Sequence, residues 1–134
     1  MLEQIVQLLQ GILTFFRKRK PLSHKDWGAG TTFKVLYPAA PFKLLELRFH
    51  LSGALAADET FTLTRVNALP LEDLLTHADV LILSEDMGTA GSTSLIKTFD
   101  SDEGIYGKDD TIVPALSANT GPDTWGLEIV YELL

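Results

Sequence analysis

The sequence predicts an all-β fold: an antiparallel β-sandwich, jelly-roll-like, preceded by one N-terminal amphipathic α-helix. Three observations predict it. From residue 31 onward, short runs rich in branched and aromatic residues recur between turn-forming stretches, with little helix among them. The last run, Thr124 to Leu134, places Trp125, Leu127, Ile129, Tyr131 and Leu133 on one side of an extended chain and Gly126, Glu128, Val130 and Glu132 on the other. This period of two marks a strand with one buried face, of the kind that pairs deep inside a sheet. Ahead of residue 21 the period changes. Leu2, Ile5, Leu9, Ile12 and Phe16 recur at spacings of three and four, a helical stripe of heptad type.

The elements follow in order. A helix is expected over residues 1–20; Gly11 weakens it by about 1 kcal/mol relative to alanine. Arg17 to Lys20 put positive charge at its C-terminus, where the backbone dipole favours it, and Pro21 stops it. Residues 21–30, with Pro21, Gly28 and Gly30, read as a linker, and residues 31–134 as the sandwich domain. Thr31–Tyr37 is the first expected strand, ended by Pro38-Ala-Ala-Pro41. Lys43–Leu51 follows, with Leu45, Leu47, Phe49 and Leu51 on one face and Glu46, Arg48 and His50 on the other. After a loop from Gly53 to Glu59, Thr60–Val66 alternates Phe61 and Leu63 with threonines suited to a solvated face. Leu71–Ala78 allows a helical turn or two. Val80–Ser84 is wholly apolar and reads as a central strand. Met87 to Thr93 is a glycine-rich loop, Ser94–Phe99 a strand and Asp100 to Asp110 an acidic turn region. Thr111–Ala118 and Thr124–Leu133 are the last two strands, joined by the turn from Asn119 to Asp123.

A chain of 134 residues is most economically one domain, able to bury roughly two thirds of its unfolded surface. It contains no cysteine, so neither a disulfide framework nor a thiolate site is available. The net charge of −7 is unevenly divided: residues 1–30 carry five basic and two acidic side chains, leaving −10 on the remainder. An acidic body repels phosphate backbones, so no nucleic-acid partner is expected. The N-terminus lacks the basic start of a secretory signal. Its apolar stretch is short of the about 20 residues that cross a bilayer, and a membrane partner is not expected.

Chemistry is sparse. His24, His50 and His77 are dispersed and form no short-spaced metal pair. Asp100, Asp102, Glu103, Asp109 and Asp110 crowd one region, yet without the glycine and terminal glutamate of a calcium loop. The 87–93 loop lacks the Gly-Lys-Ser/Thr ending of a phosphate cradle and follows the acidic pair Glu85-Asp86. No serine stands in a nucleophile-elbow setting. The expectation is a protein with no catalytic residue, no metal and no cofactor.

The helix allows three readings: association with copies of itself or a partner, packing on its own sandwich, or lying on a membrane surface. The heptad spacing favours the first. Glu3, Gln4, Gln7 and Gln10 on the polar face disfavour the last, since membrane-surface helices carry basic residues there.

Strands with the character of Lys43–Ser52, Glu59–Thr64, Asp79–Met87 and Thr124–Glu132 occur in this order over residues 43–134. In these the chain resembles small jelly-roll virion proteins of tailed bacteriophages. The resemblance implies a structural role in the virion, as capsid decoration or cement or as part of an appendage. It also implies other virion proteins as partners, whether the major capsid protein or a neighbouring appendage protein, while the heptad stripe of the helix points to a homo-oligomer such as a trimer. It supplies no catalytic residue. The helix departs from the shared pattern. It is expected to attach the protein, with Leu2, Ile5, Leu9, Ile12 and Phe16 forming the seam and Arg17, Lys18, Arg19 and Lys20 meeting an acidic surface. The competing expectation is a carbohydrate- or receptor-binding module that stacks ligands on Trp27, Tyr37, Tyr106 or Trp125. Alternation buries Trp125, whereas Trp27 and Tyr106 are expected in open loops.

Overall fold

A computed structural model describes residues 1–17, 20–67, 80–87, 94–100, 104–121 and 124–134. The helix α1 spans Leu2–Arg17, with Glu3 in its first turn, where a carboxylate meets the positive end of the backbone dipole. The segment expected to be a linker is instead a strand. β1, Leu22–Gly28, pairs antiparallel with β8, Trp125–Leu133, from Leu22↔Tyr131 to Gly28↔Trp125. Its alternation is carried by polar residues: Asp26 is buried and His24 half-buried, while Ser23, Lys25 and Trp27 face outward. An apolar period therefore never announced it, and its polar character suits the edge position that it occupies.

The remaining strands are β2, Phe42–Leu51; β3, Thr60–Asn67; β4, Val80–Asp86; β5, Ser94–Thr98; β6, Ile105–Tyr106; and β7, Asp110–Leu116. One sheet has the order β1-β8-β2-β5, with β6 laid against the start of β2; the other has the order β4-β3-β7. All these pairings are antiparallel. The strand expected over Thr31–Tyr37 is reduced to two bridges onto β7, Thr32↔Ala115 and Leu36↔Ile112. With that segment counted beside β7, the chain alternates between the sheets in the order of a jelly roll, and the terminal strand β8 lies inside its sheet. β4 corrects a second expectation. Its apolar run suggested a central strand, but it is an edge strand paired with β3, with Leu83 turned in and Leu81 57% exposed.

The core lies between the sheets. Phe49 stacks on Phe61 with ring centroids 4.6 Å apart, and Phe33 meets both edge-on, at 5.6 and 6.0 Å. Phe33 also lies 4.0 Å from Trp125, whose indole Nε1 donates to the Gly30 carbonyl at 2.9 Å. Each fully buried Phe or Leu of this kind contributes about 1.5–3 kcal/mol. A register shift between Leu44 and Glu46 corrects the face of β2: Phe42, Leu44, Leu47, Phe49 and Leu51 are buried, and Leu45 is displaced to a half-buried position. The acidic turn region contains the short strand β6, where Tyr106 stacks on Phe42 at 5.1 Å. The helical turn expected at Leu71–Ala78, His77, the loop beyond Met87 and the carboxylates of Asp102 and Glu103 lie outside the described residues.

Candidate functional site

Two surfaces stand out, and the first is α1. Leu2, Ile5, Val6, Leu8, Leu9 and Ile12 are all exposed, and none of the helix side chains described, those of residues 2–12, belongs to the buried core. The described part of the expected stripe, Leu2, Ile5, Leu9 and Ile12, therefore lies exposed on α1 and is not buried against the sandwich. Leu2, Ile5 and Leu9 are 77%, 51% and 53% exposed. A contiguous apolar face of this kind marks an interaction surface. Lys20 is exposed; Lys18 and Arg19, with the side chains of Phe16 and Arg17, lie outside the described residues. No described helix is long and apolar enough to cross a membrane.

The second surface is the outer face of the β1-β8-β2-β5 sheet. Strand register sets its side chains in rows across the strands. Trp27 stands opposite Gly126, which pairs with His50, which pairs with Ser94. The next row runs Lys25, Glu128, Arg48, Ile96. Together they border an open groove of about 360 Å³. His50 Nδ1 and Ser94 Oγ are hydrogen-bonded at 3.1 Å. Arg48 donates from Nε to Glu46 two residues back on the same face. That hydrogen bond and the charge of Glu46 raise the Arg48 guanidinium above its ordinary pKa, with Glu128 adding to the effect. Opposite charges alternate along Lys25–Glu128–Arg48, an arrangement that stabilises a sheet face by about 0.2–1 kcal/mol per pair.

Gly126 is the unusual member. A glycine inside a strand costs about 0.5–1 kcal/mol relative to alanine. In a central strand it marks a bulge, a bend or a close approach of another group. The β8 register runs without a shift through Gly126, and its backbone is not left-handed. A Cβ added there would meet nothing within 4 Å, whereas at Gly121 it would lie 2.4 Å from the Ala54 carbonyl oxygen. Gly126 thus leaves an open floor. Its neighbour Trp27 does not cover it, being 76% exposed.

The four aromatics considered for ligand stacking are not brought together. Trp125 is buried, as its alternation implied. Tyr106, expected open in a loop, is buried on Phe42. Tyr37 is half exposed but follows the segment that bridges to the other sheet. Trp27 remains open, on a strand rather than a loop. Of the histidines, His50 joins the groove, while His24 points its Nε2 into the interior. Among the described residues no three His, Asp or Glu side chains gather as a metal site. Sequence reading placed Arg48 and His50 on a solvated face but did not connect them with Trp27, Gly126 or Ser94. The interior glycine of the last strand was the signal available.

No family model and no curated protein matches this sequence. Among solved structures the chain is similar to a Clostridium thermocellum N-terminal endo-1,4-β-D-xylanase 10B in its CBM22-1–GH10 modules complexed with xylohexaose. The identity is 11%, the TM-score 0.38, and the match spans 74% of this chain and only 17% of that one. A likeness at that level carries no conclusion about this chain, whose fold stands on its own strand order.

Proposed function

We propose that this chain is a non-enzymatic structural protein of a tailed-phage virion, a decoration or cement protein or a minor component, that associates with copies of itself through α1. The observation that carries the association is the exposed stripe of Leu2, Ile5, Leu9 and Ile12, none of which is part of the core. A 16-residue helix is marginal in water on its own. Its exposed apolar face gains burial against another chain, and heptad spacing suits like helices packing on one another. The virion assignment rests on the order and character of the strands over residues 43–134. A body carrying −10 beyond residue 30 stays soluble before assembly and does not adhere to packaged nucleic acid.

Light scattering on the full chain and on the Ile5→Asp/Leu9→Asp variant tests the association. The expected result is a trimer or another closed oligomer that becomes a monomer in the variant, with the near-ultraviolet circular dichroism of the sandwich unchanged. A monomeric parent chain overturns the reading. Mass spectrometry of purified particles from a phage encoding this sequence tests the location separately; particles without its peptides exclude a virion role.

A further inference from the structure

We infer that the groove on the outer face of the β1-β8-β2-β5 sheet is a binding site for a short neutral oligosaccharide, lying across the strands over Gly126 with one sugar ring against Trp27. The inference is independent of the assembly role of α1.

Three observations carry it. First, Gly126, the second residue of β8, leaves a gap in a strand of unbroken register that no bulge, tight packing or left-handed backbone requires. Cross-strand pairing of an aromatic with a glycine often serves to cover the glycine. Here Trp27 is 76% exposed, so the indole stands at the end of the trough and offers a face to something else. Second, the polar groups along the trough are already held in place. His50 is tied to Ser94 at 3.1 Å and Arg48 to Glu46, so a ligand need not order them. Third, the charge balances. Lys25 and Arg48 stand among Glu46 and Glu128, two cations against two carboxylates. A net cationic groove would select an anion and a net anionic one a cation. A balanced groove with fixed donors and acceptors, a flat aromatic at one end and Ile96 at the other suits a neutral molecule with many hydroxyls and an apolar ring face. Pyranose sugars have that chemistry: C–H groups on one face stack on an aromatic ring, and equatorial hydroxyls exchange hydrogen bonds with charged side chains.

The test uses the full chain and three neutral probes: xylohexaose, cellohexaose and mannohexaose, with a heparin hexasaccharide as the anionic comparison. The chain has two tryptophans, of which Trp125 is buried, so a change in intrinsic fluorescence on titration reports Trp27. Calorimetry supplies the affinity. At least one neutral hexasaccharide is expected to bind, with little dependence on salt. Trp27→Ala should weaken it by about tenfold or more. Gly126→Val should weaken it comparably by filling the trough, while the fold persists because the added Cβ enters open space. The Ile5→Asp/Leu9→Asp variant should bind the hexasaccharide as the parent does. Binding that is unchanged in both groove variants overturns the site. So does binding of the heparin fragment alone, or of none of the four probes.

Discussion

At the scale of single residues, the sequence made the apolar side chains legible and left the polar ones ambiguous. Trp125, Leu127 and Ile129 are buried as their alternation implied, because a β8 flanked by two strands presents one whole face to the core. Asp26 could be read only as a charge. In the fold it is buried, and its Oδ2 accepts a hydrogen bond at 2.7 Å from the backbone N–H of Lys34, pinning the 30–34 loop to β1. The Lys34 ammonium lies 4.0 Å from the other carboxylate oxygen but is 78% exposed. Two substitutions separate these contacts. Asp26→Ala leaves the part-buried N–H without its charged acceptor and should lower stability by about 1–3 kcal/mol in urea unfolding. Lys34→Met removes only a screened surface attraction and should cost less than about 1 kcal/mol. Equal losses would mean that the ion pair, not the backbone hydrogen bond, holds the loop.

Among the elements, the strands with one apolar face were the readable ones. β3 carries Phe61 and Leu63 inward between threonines, and the pattern survives unchanged in the fold. Two kinds of local physics defeated the pattern elsewhere. A bulge in β2 transfers the inward role from Leu45 to Leu44, since one extra residue reverses the alternation on its far side. An edge strand needs fewer apolar residues, which is why β1 read as a linker and why Pro21 and Gly28 read as its breaks. The consequence for β1 is testable. A chain beginning at Lys20 keeps the strand and should unfold in one cooperative transition. A chain beginning at Gly30 strips seven residues of pairing from β8, exposing a long, apolar-rich ladder edge of the kind that aggregates. It should melt at a lower temperature and scatter light at concentrations where the longer chain stays clear. If both chains melt together, β1 adds nothing to the sheet.

For the whole molecule, the class of fold was legible because it follows from the number and alternation of strands, properties that each stretch of chain carries by itself. The groove was not, because no stretch contains it. Trp27, His50, Ser94 and Gly126 come from four strands spread across nearly the full sequence, and only the jelly-roll order sets them in one row. The helix stripe was legible at its own scale, yet what it does depends on other copies. These two surfaces have a joint consequence. If α1 gathers several sandwiches, their grooves act together on a repeating ligand, and linked weak sites gain about 10²–10⁴ in overall affinity when geometry lets them engage at once. The parent chain and the Ile5→Asp/Leu9→Asp variant should therefore bind a soluble hexasaccharide equally, while a surface coated with the matching polysaccharide retains the parent far longer. Dissociation from that surface, followed by surface plasmon resonance, measures the difference. Equal retention would show that the grooves do not act together, either because α1 holds no copies or because it turns them away from a common surface. Light scattering on the same samples tells those two apart.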